Sequence, residues 1–145
     1  MINRAHLSKR LATYQATAIF SIVFALLGFS YNAWRLEASE HNTTVRTASF
    51  EILVQLSEFE RVLYAAHYDN DPTLGNPRAG WVKLGIVNDL APLVSTSVQS
   101  HSQLLTQAWQ SNWQRLGQES TAITTIEEQK QALRMQIQRE LAQLN

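Results

Sequence analysis

His67, Asp69 and Asp71 alternate along the chain, and three such side chains could ligate a metal ion. Zinc sites gather His or Cys from a fixed framework, and calcium loops need more oxygen ligands and a glycine at a set position. The surrounding residues, Asp69-Asn-Asp-Pro-Thr-Leu-Gly-Asn-Pro77, read better as a turn whose aspartates bond nearby backbone amides. The four histidines, His6, His41, His67 and His101, include no pair at three- or four-residue spacing. No metal site is expected.

Gly75 and Gly80 have the glycine spacing of a phosphate loop. Trp81 and Val82 stand where the lysine and hydroxyl should be, and no strand pattern precedes them, so that chemistry is rejected. Glu58 and Glu60 are two apart on a helical pattern and point to different faces, whereas paired-carboxylate catalysis needs convergence. The chain has no cysteine and no Gly-x-Ser-x-Gly. Neither a catalytic residue nor a cofactor site is expected, and the chain reads as a non-enzyme.

Trp81, Trp109 and Trp113 are a heavy aromatic load for so small a domain. Trp109 and Trp113 are one helical turn apart, and a narrow seam cannot hold both centrally. Filling a wide core is one role for the three. The other is an interface anchor, where tryptophan is enriched. The second is supported by uncharged polar neighbours, Gln103, Gln107, Gln110, Ser111, Asn112 and Gln114, which are easier to desolvate than a Lys/Glu face. Trp81, Trp109, Trp113 and Gln110 are therefore the candidate partner-binding residues.

These residues are carried by helices. Val45, Ser49, Ile52, Leu56, Phe59, Leu63 and Ala66 follow a seven-residue repeat, with Phe50, Leu53 and Val62 widening the stripe. The turn at 69–77 comes next, with Asn76 as a helix cap before Pro77. Trp81, Leu84, Val87 and Ala91 then share one face. Pro92 interrupts that helix, because proline removes a donor and clashes one turn back. The pattern resumes with Val98, Leu105, Trp109 and Leu116, stops at Gly117, and starts again near Ser120 with Ile123, Ile126, Lys130, Leu133, Ile137, Leu141 and Leu144. Short connections imply antiparallel neighbours. The expected fold is all-α, a three-helix bundle with a kink near 92, or four helices if Pro92 makes a turn. Asn42-Thr43-Thr44, poor helix formers, mark an expected soft joint.

No charged residue occurs between Arg10 and Arg35. About 20 apolar residues at roughly 1.5 Å each cross a hydrocarbon core of about 30 Å. Residues 11–34 are thus expected to form one transmembrane helix in the lipid bilayer, continuous with the first helix of the bundle. Tyr14 lies near one boundary, and Tyr31 and Trp34 near the other. A cleaved leader is the competing reading. The apolar stretch is long for one, and Tyr31 is too large for the −3 position of a site after Ala33. Within the span, Thr17, Ser21, Ala25 and Gly28 share a small-residue face suited to helix packing.

Arg4, Lys9 and Arg10 precede the span, so residues 1–10 are expected to be a basic cytoplasmic tail. Residues 35–145 would then lie outside, with a net charge of about −3 against +3 for the tail, a split hidden by the overall balance of 12 basic and 12 acidic residues. Nucleic acid is not an expected partner. This plan resembles the sensory half of bacterial chemoreceptors, a resemblance of architecture rather than of motif. The one span and its basic flank lead to the expectation of a single-pass protein of a bacterial inner membrane with a periplasmic helical domain. Receptors of that kind have a second span and a cytoplasmic signalling region, which these 145 residues do not include. The expectation is therefore an accessory or scaffold subunit that binds other membrane or periplasmic subunits, or a second copy of itself. The alternative is a ligand-sensing bundle that signals through a partner's span.

Overall fold

The computed structural model describes residues 4–144, with side chains from residue 13 onward. The described residues form four α-helices and no strand: α1 (Arg4–His67), α2 (Pro77–Val94), α3 (Thr96–Asn112) and α4 (Ser120–Gln143), with a short 3-10 turn at Trp113–Arg115. The chain divides into two compact units, Met1–His41 and Asn42–Asn145.

The first unit contains the apolar part of α1. Every side chain described there, from residue 13 to residue 41, is exposed. Its most apolar 18-residue window has a mean hydropathy of 1.6 and is 0% buried, so the helix is long and apolar enough to cross a membrane. Phe20 stacks on Phe24 with centroids 6.1 Å apart, and Tyr31 tilts against Trp34 at 6.3 Å. These contacts hide little of the apolar surface.

The second unit is built on one core. Ile52, Leu56, Phe59 and Leu63 of α1 join Leu84, Val87 and Ala91 of α2, Val98, Leu105 and Trp109 of α3, and Ile126, Leu133 and Ile137 of α4. Each fully buried side chain of this size contributes about 1.5–3 kcal/mol relative to exposure. The seven-residue seam of α1 faces inward as its spacing requires. Phe50 does not widen that stripe: it is 59% exposed. At about 100° per residue, a position two before Ile52 lies some 200° round the helix, on the side away from the core. Asn42-Thr43-Thr44 are helical.

Pro92 does not end its helix, and the favoured three-helix reading gives way to four helices. Pro92 lies inside α2, which continues to Val94, and the break falls at Ser95, in extended backbone with φ −167° and ψ 162°. Ser95 serves both sides of the break. Its amide donates to Ala91 O, closing α2, and its Oγ accepts from Val98 N at 3.1 Å, opening α3. A serine cap of this kind is worth about 1 kcal/mol.

The α1–α2 connection is fixed by its own residues. Asp71 Oδ1 accepts from the amides of Thr73 and Leu74 at 2.7 and 3.0 Å, and Asn76 Oδ1 accepts from Arg78 N at 3.0 Å, with Pro77 in the first turn. Gly75 is pressed against α1, where a Cβ would stand 2.5 Å from Ala66 N.

Candidate functional site

Helix α3 places Trp109, while Trp81 lies on α2 and Trp113 opens the 3-10 turn. Trp109 is 0% exposed, and its ring meets Phe59 edge-on, with centroids 5.1 Å apart at 76°. Gly80 of α2 packs directly on that ring: a Cβ there would lie 2.5 Å from Trp109 Cζ2. A side chain at 80 would hold α2 away from α3. Trp113 is half-buried against the same core, and Trp81 is 37% exposed. Gln110 is exposed on α3. Trp81 and Gln110 each directly follow a member of the Gly80–Trp109 contact, one on each helix. Of the three tryptophans, Trp81 presents the most surface.

Thr17, Ser21, Ala25 and Gly28 are all exposed on α1 in the first unit. Thr17 Oγ1 donates to Thr13 O at 2.9 Å, satisfying its hydroxyl within the helix, and a Cβ at Gly28 would meet nothing within 4 Å. The small-residue face is open to close approach.

Sequence reasoning did not anticipate a polar cluster between α1 and α4. Lys130 is 4% exposed, and its ammonium pairs with Glu60. Arg134 Nη2 lies 3.9 Å from the same carboxylate. Tyr64 Oη is 2.8 Å from Glu127 Oε1 and 3.1 Å from Glu60 Oε1, and the Lys130 ammonium stands 5.5 Å from the Tyr64 ring centroid. Burial pushes the Glu60 carboxyl up, but the Lys130 hydrogen bond and charge, with Tyr64 and Arg134, outweigh it and hold it below the ordinary carboxylate value. Tyr64 is pushed up, first by its hydrogen bond to Glu127, then by burial and by Glu60. Its phenol stays protonated, and the cluster works as a charge-assisted clasp. The signal for it was present: Lys130 occupies a seam position between Ile126 and Leu133.

His67, Asp69 and Asp71 do not converge. Asp71 is engaged by its turn, and His67 Nδ1 accepts from Gly117 N at 3.1 Å. Among the described residues no group of three or more His, Cys, Asp or Glu is placed to hold a metal. A groove of about 460 Å³ runs beside the start of α2, bordered by Glu58, Arg61, Tyr64, Asp69, Thr73 and Lys83. Comparison with protein families, curated proteins and solved structures finds no match to this chain.

Proposed function

We propose that this protein is a non-catalytic, single-pass membrane subunit whose helical domain docks another protein of a bacterial envelope complex. The observation that carries this reading is the unburied apolar window of α1, with a mean hydropathy of 1.6. Contiguous apolar surface of that extent needs a cover that the rest of the chain does not supply, and a bilayer is the cover whose thickness fits it. Arg4, Lys9 and Arg10 favour a cytoplasmic N-terminus in the inner membrane, with the second unit in the periplasm.

The second unit is read as an antiparallel four-helix bundle. Along α1 the partners run His67 with Gly117, Tyr64 with Glu127 and Glu60 with Lys130, so rising numbers on one side meet falling numbers on the other. The pairs Gly80–Trp109 and Asn88–Thr106 follow the same rule for α2 and α3. Its large inward-facing side chains and its buried lysine are engaged in packing or clasping, which supports a scaffold more than a reaction centre. Trp81 and Gln110 are the proposed contact with the partner. The small face at Thr17, Ser21, Ala25 and Gly28 is the proposed contact within the membrane, with a partner's span or with a second copy.

The groove beside Arg61 and Lys83 favours a second reading, a ligand-sensing bundle acting through a partner's span. The two readings separate in one experiment. The tagged chain and its Trp81→Ala variant are isolated in mild detergent, and co-purifying proteins are identified by mass spectrometry. Loss of a defined membrane or periplasmic partner in the variant supports docking. Unchanged capture by the variant overturns the Trp81 contact. A chain that captures nothing while a small molecule raises its melting temperature favours sensing.

A further inference from the structure

We propose that the groove between the end of α1 and the start of α2 binds a linear zwitterion, a small molecule with an ammonium at one end of an apolar body and a carboxylate at the other. A short peptide with free termini has this chemistry, and so does an ω-amino acid. Such a molecule is the signal in the ligand-sensing reading, on which this inference rests. At about 460 Å³ the groove falls toward the small end of the roughly 300–1,000 Å³ typical of small-molecule sites.

Four charged side chains border the groove, Glu58, Arg61, Asp69 and Lys83, and their charges cancel. Two of them neutralise each other: Arg61 Nη1 lies 3.1 Å from Glu58 Oε2. Lys83 and Asp69 are different. Among the described residues, neither of these side chains has a hydrogen bond or an ion pair. A basic and an acidic group thus border one groove, each without a partner in the chain and not joined to the other. A lone anion would meet Asp69 and a lone cation would meet Lys83, whereas a zwitterion answers both.

The two groups stand at opposite ends. Gly75 is pressed on Ala66, so α2 begins beside the last turn of α1. Asp69 stays at that level, its amide donating to Tyr64 O at 3.4 Å. Lys83 lies six residues into α2 from Pro77, about 9 Å along the axis at roughly 1.5 Å per residue. In the antiparallel reading that distance runs back beside α1, toward Arg61 and Glu58. The surface between the ends is apolar. Val62 and Ala65 are buried at its base, Ala79 lines it from α2, and Leu74 of the connection is 58% exposed. An ammonium and a carboxylate on one carbon are too close together for ends set this far apart. A molecule that separates them by a short apolar chain fits, and its body covers Leu74.

The test uses the full chain in detergent micelles and isothermal titration calorimetry. The probes are the dipeptide alanyl-leucine and ε-aminocaproate, with leucine as the short control. At least one of the two long probes is expected to bind, and binding by one alone identifies the source as a peptide or an ω-amino acid. Acetylating the bound probe's amine or amidating its carboxylate should each weaken binding roughly tenfold or more, the scale of one hydrogen bond to a charged group. Asp69→Asn and Lys83→Gln should do the same. Neither side chain has a partner in the chain, so both variants should keep the wild-type melting temperature without ligand. The proposal is overturned if neither long probe binds, if leucine binds as tightly, or if the blocked probes or either variant bind unchanged. A neutral or singly charged molecule that raises the melting temperature while both long probes fail overturns the zwitterion site and leaves the ligand-sensing reading standing. A library of small metabolites that raises it nowhere removes both.

Discussion

Lys130 on α4 is buried against the carboxylate of Glu60 on α1, seventy residues earlier in the chain. The pair takes a charge into the core and answers it there. Desolvation offsets most of the gain from such a pair, while removing one partner leaves an uncompensated charge.

The two halves of the pair should therefore respond unequally to substitution. Glu60→Gln is expected to destabilise the protein by about 3–5 kcal/mol, the scale for orphaning a buried charge. The partial exposure of Glu60 places the result toward the lower end. Lys130→Met keeps the packing and removes the charge, and should cost less than Glu60→Gln. Denaturant melts of the two variants and the double variant check this. An equal loss for both single variants would contradict it.

The same carboxylate sets an acid limit. Its native value is held below the ordinary 4.5, so its contribution is fully present above that value. It is lost as pH falls below 4.5 through the lowered native value. Thermal melts from pH 7 to 3 should show an acid loss of stability that is smaller in Glu60→Gln.

Two glycines in α2 should behave oppositely. Gly80→Ala forces a Cβ to within 2.5 Å of the Trp109 ring and should cost about 1–3 kcal/mol by overpacking. Gly85 faces open space, and Gly85→Ala should stabilise the helix by about 0.4–1 kcal/mol. Melting temperatures moving in opposite directions are the expected outcome.

Trp81 and Trp109 should separate in fluorescence. Trp34 is 66% exposed, so the comparison is made with Trp34→Phe as background, where removing Trp81 should abolish much of the emission quenched by acrylamide, with helical content unchanged. If Trp81 anchors the partner, its replacement by alanine should weaken capture by about 2 kcal/mol or more, roughly 30-fold. Phe59→Ala beneath Trp109 should instead cost about 3–5 kcal/mol of stability.

Topology is open to direct test. A reporter active only in the periplasm, fused after Asn145, should be active. A cytoplasm-only reporter at the same position should be silent. The reverse pattern would place the second unit in the cytoplasm and remove the envelope-docking reading.

Local signals carried much of the fold. The apolar stretch between Arg10 and Arg35, the seam from Val45 to Leu63, the Asn76 cap before Pro77 and the start of α4 at Ser120 can each be read from neighbouring residues. Pro92 misled because proline in a last turn forfeits a single bond. The stronger signal was Ser95, whose side chain can cap only a helix that begins after it.

By itself, then, the sequence determined helix content, the apolar window and the inward seams, because these depend on residue types within a few positions of one another. Tertiary structure decided which tryptophan stays at the surface, that Gly80 meets Trp109, that Lys130 finds Glu60, and that His67 receives the Gly117 amide. Those pairings join residues 29 to 70 positions apart. Periodicity places a residue on a face, but which residue it meets there depends on how the helices pack, a relation that no local pattern encodes.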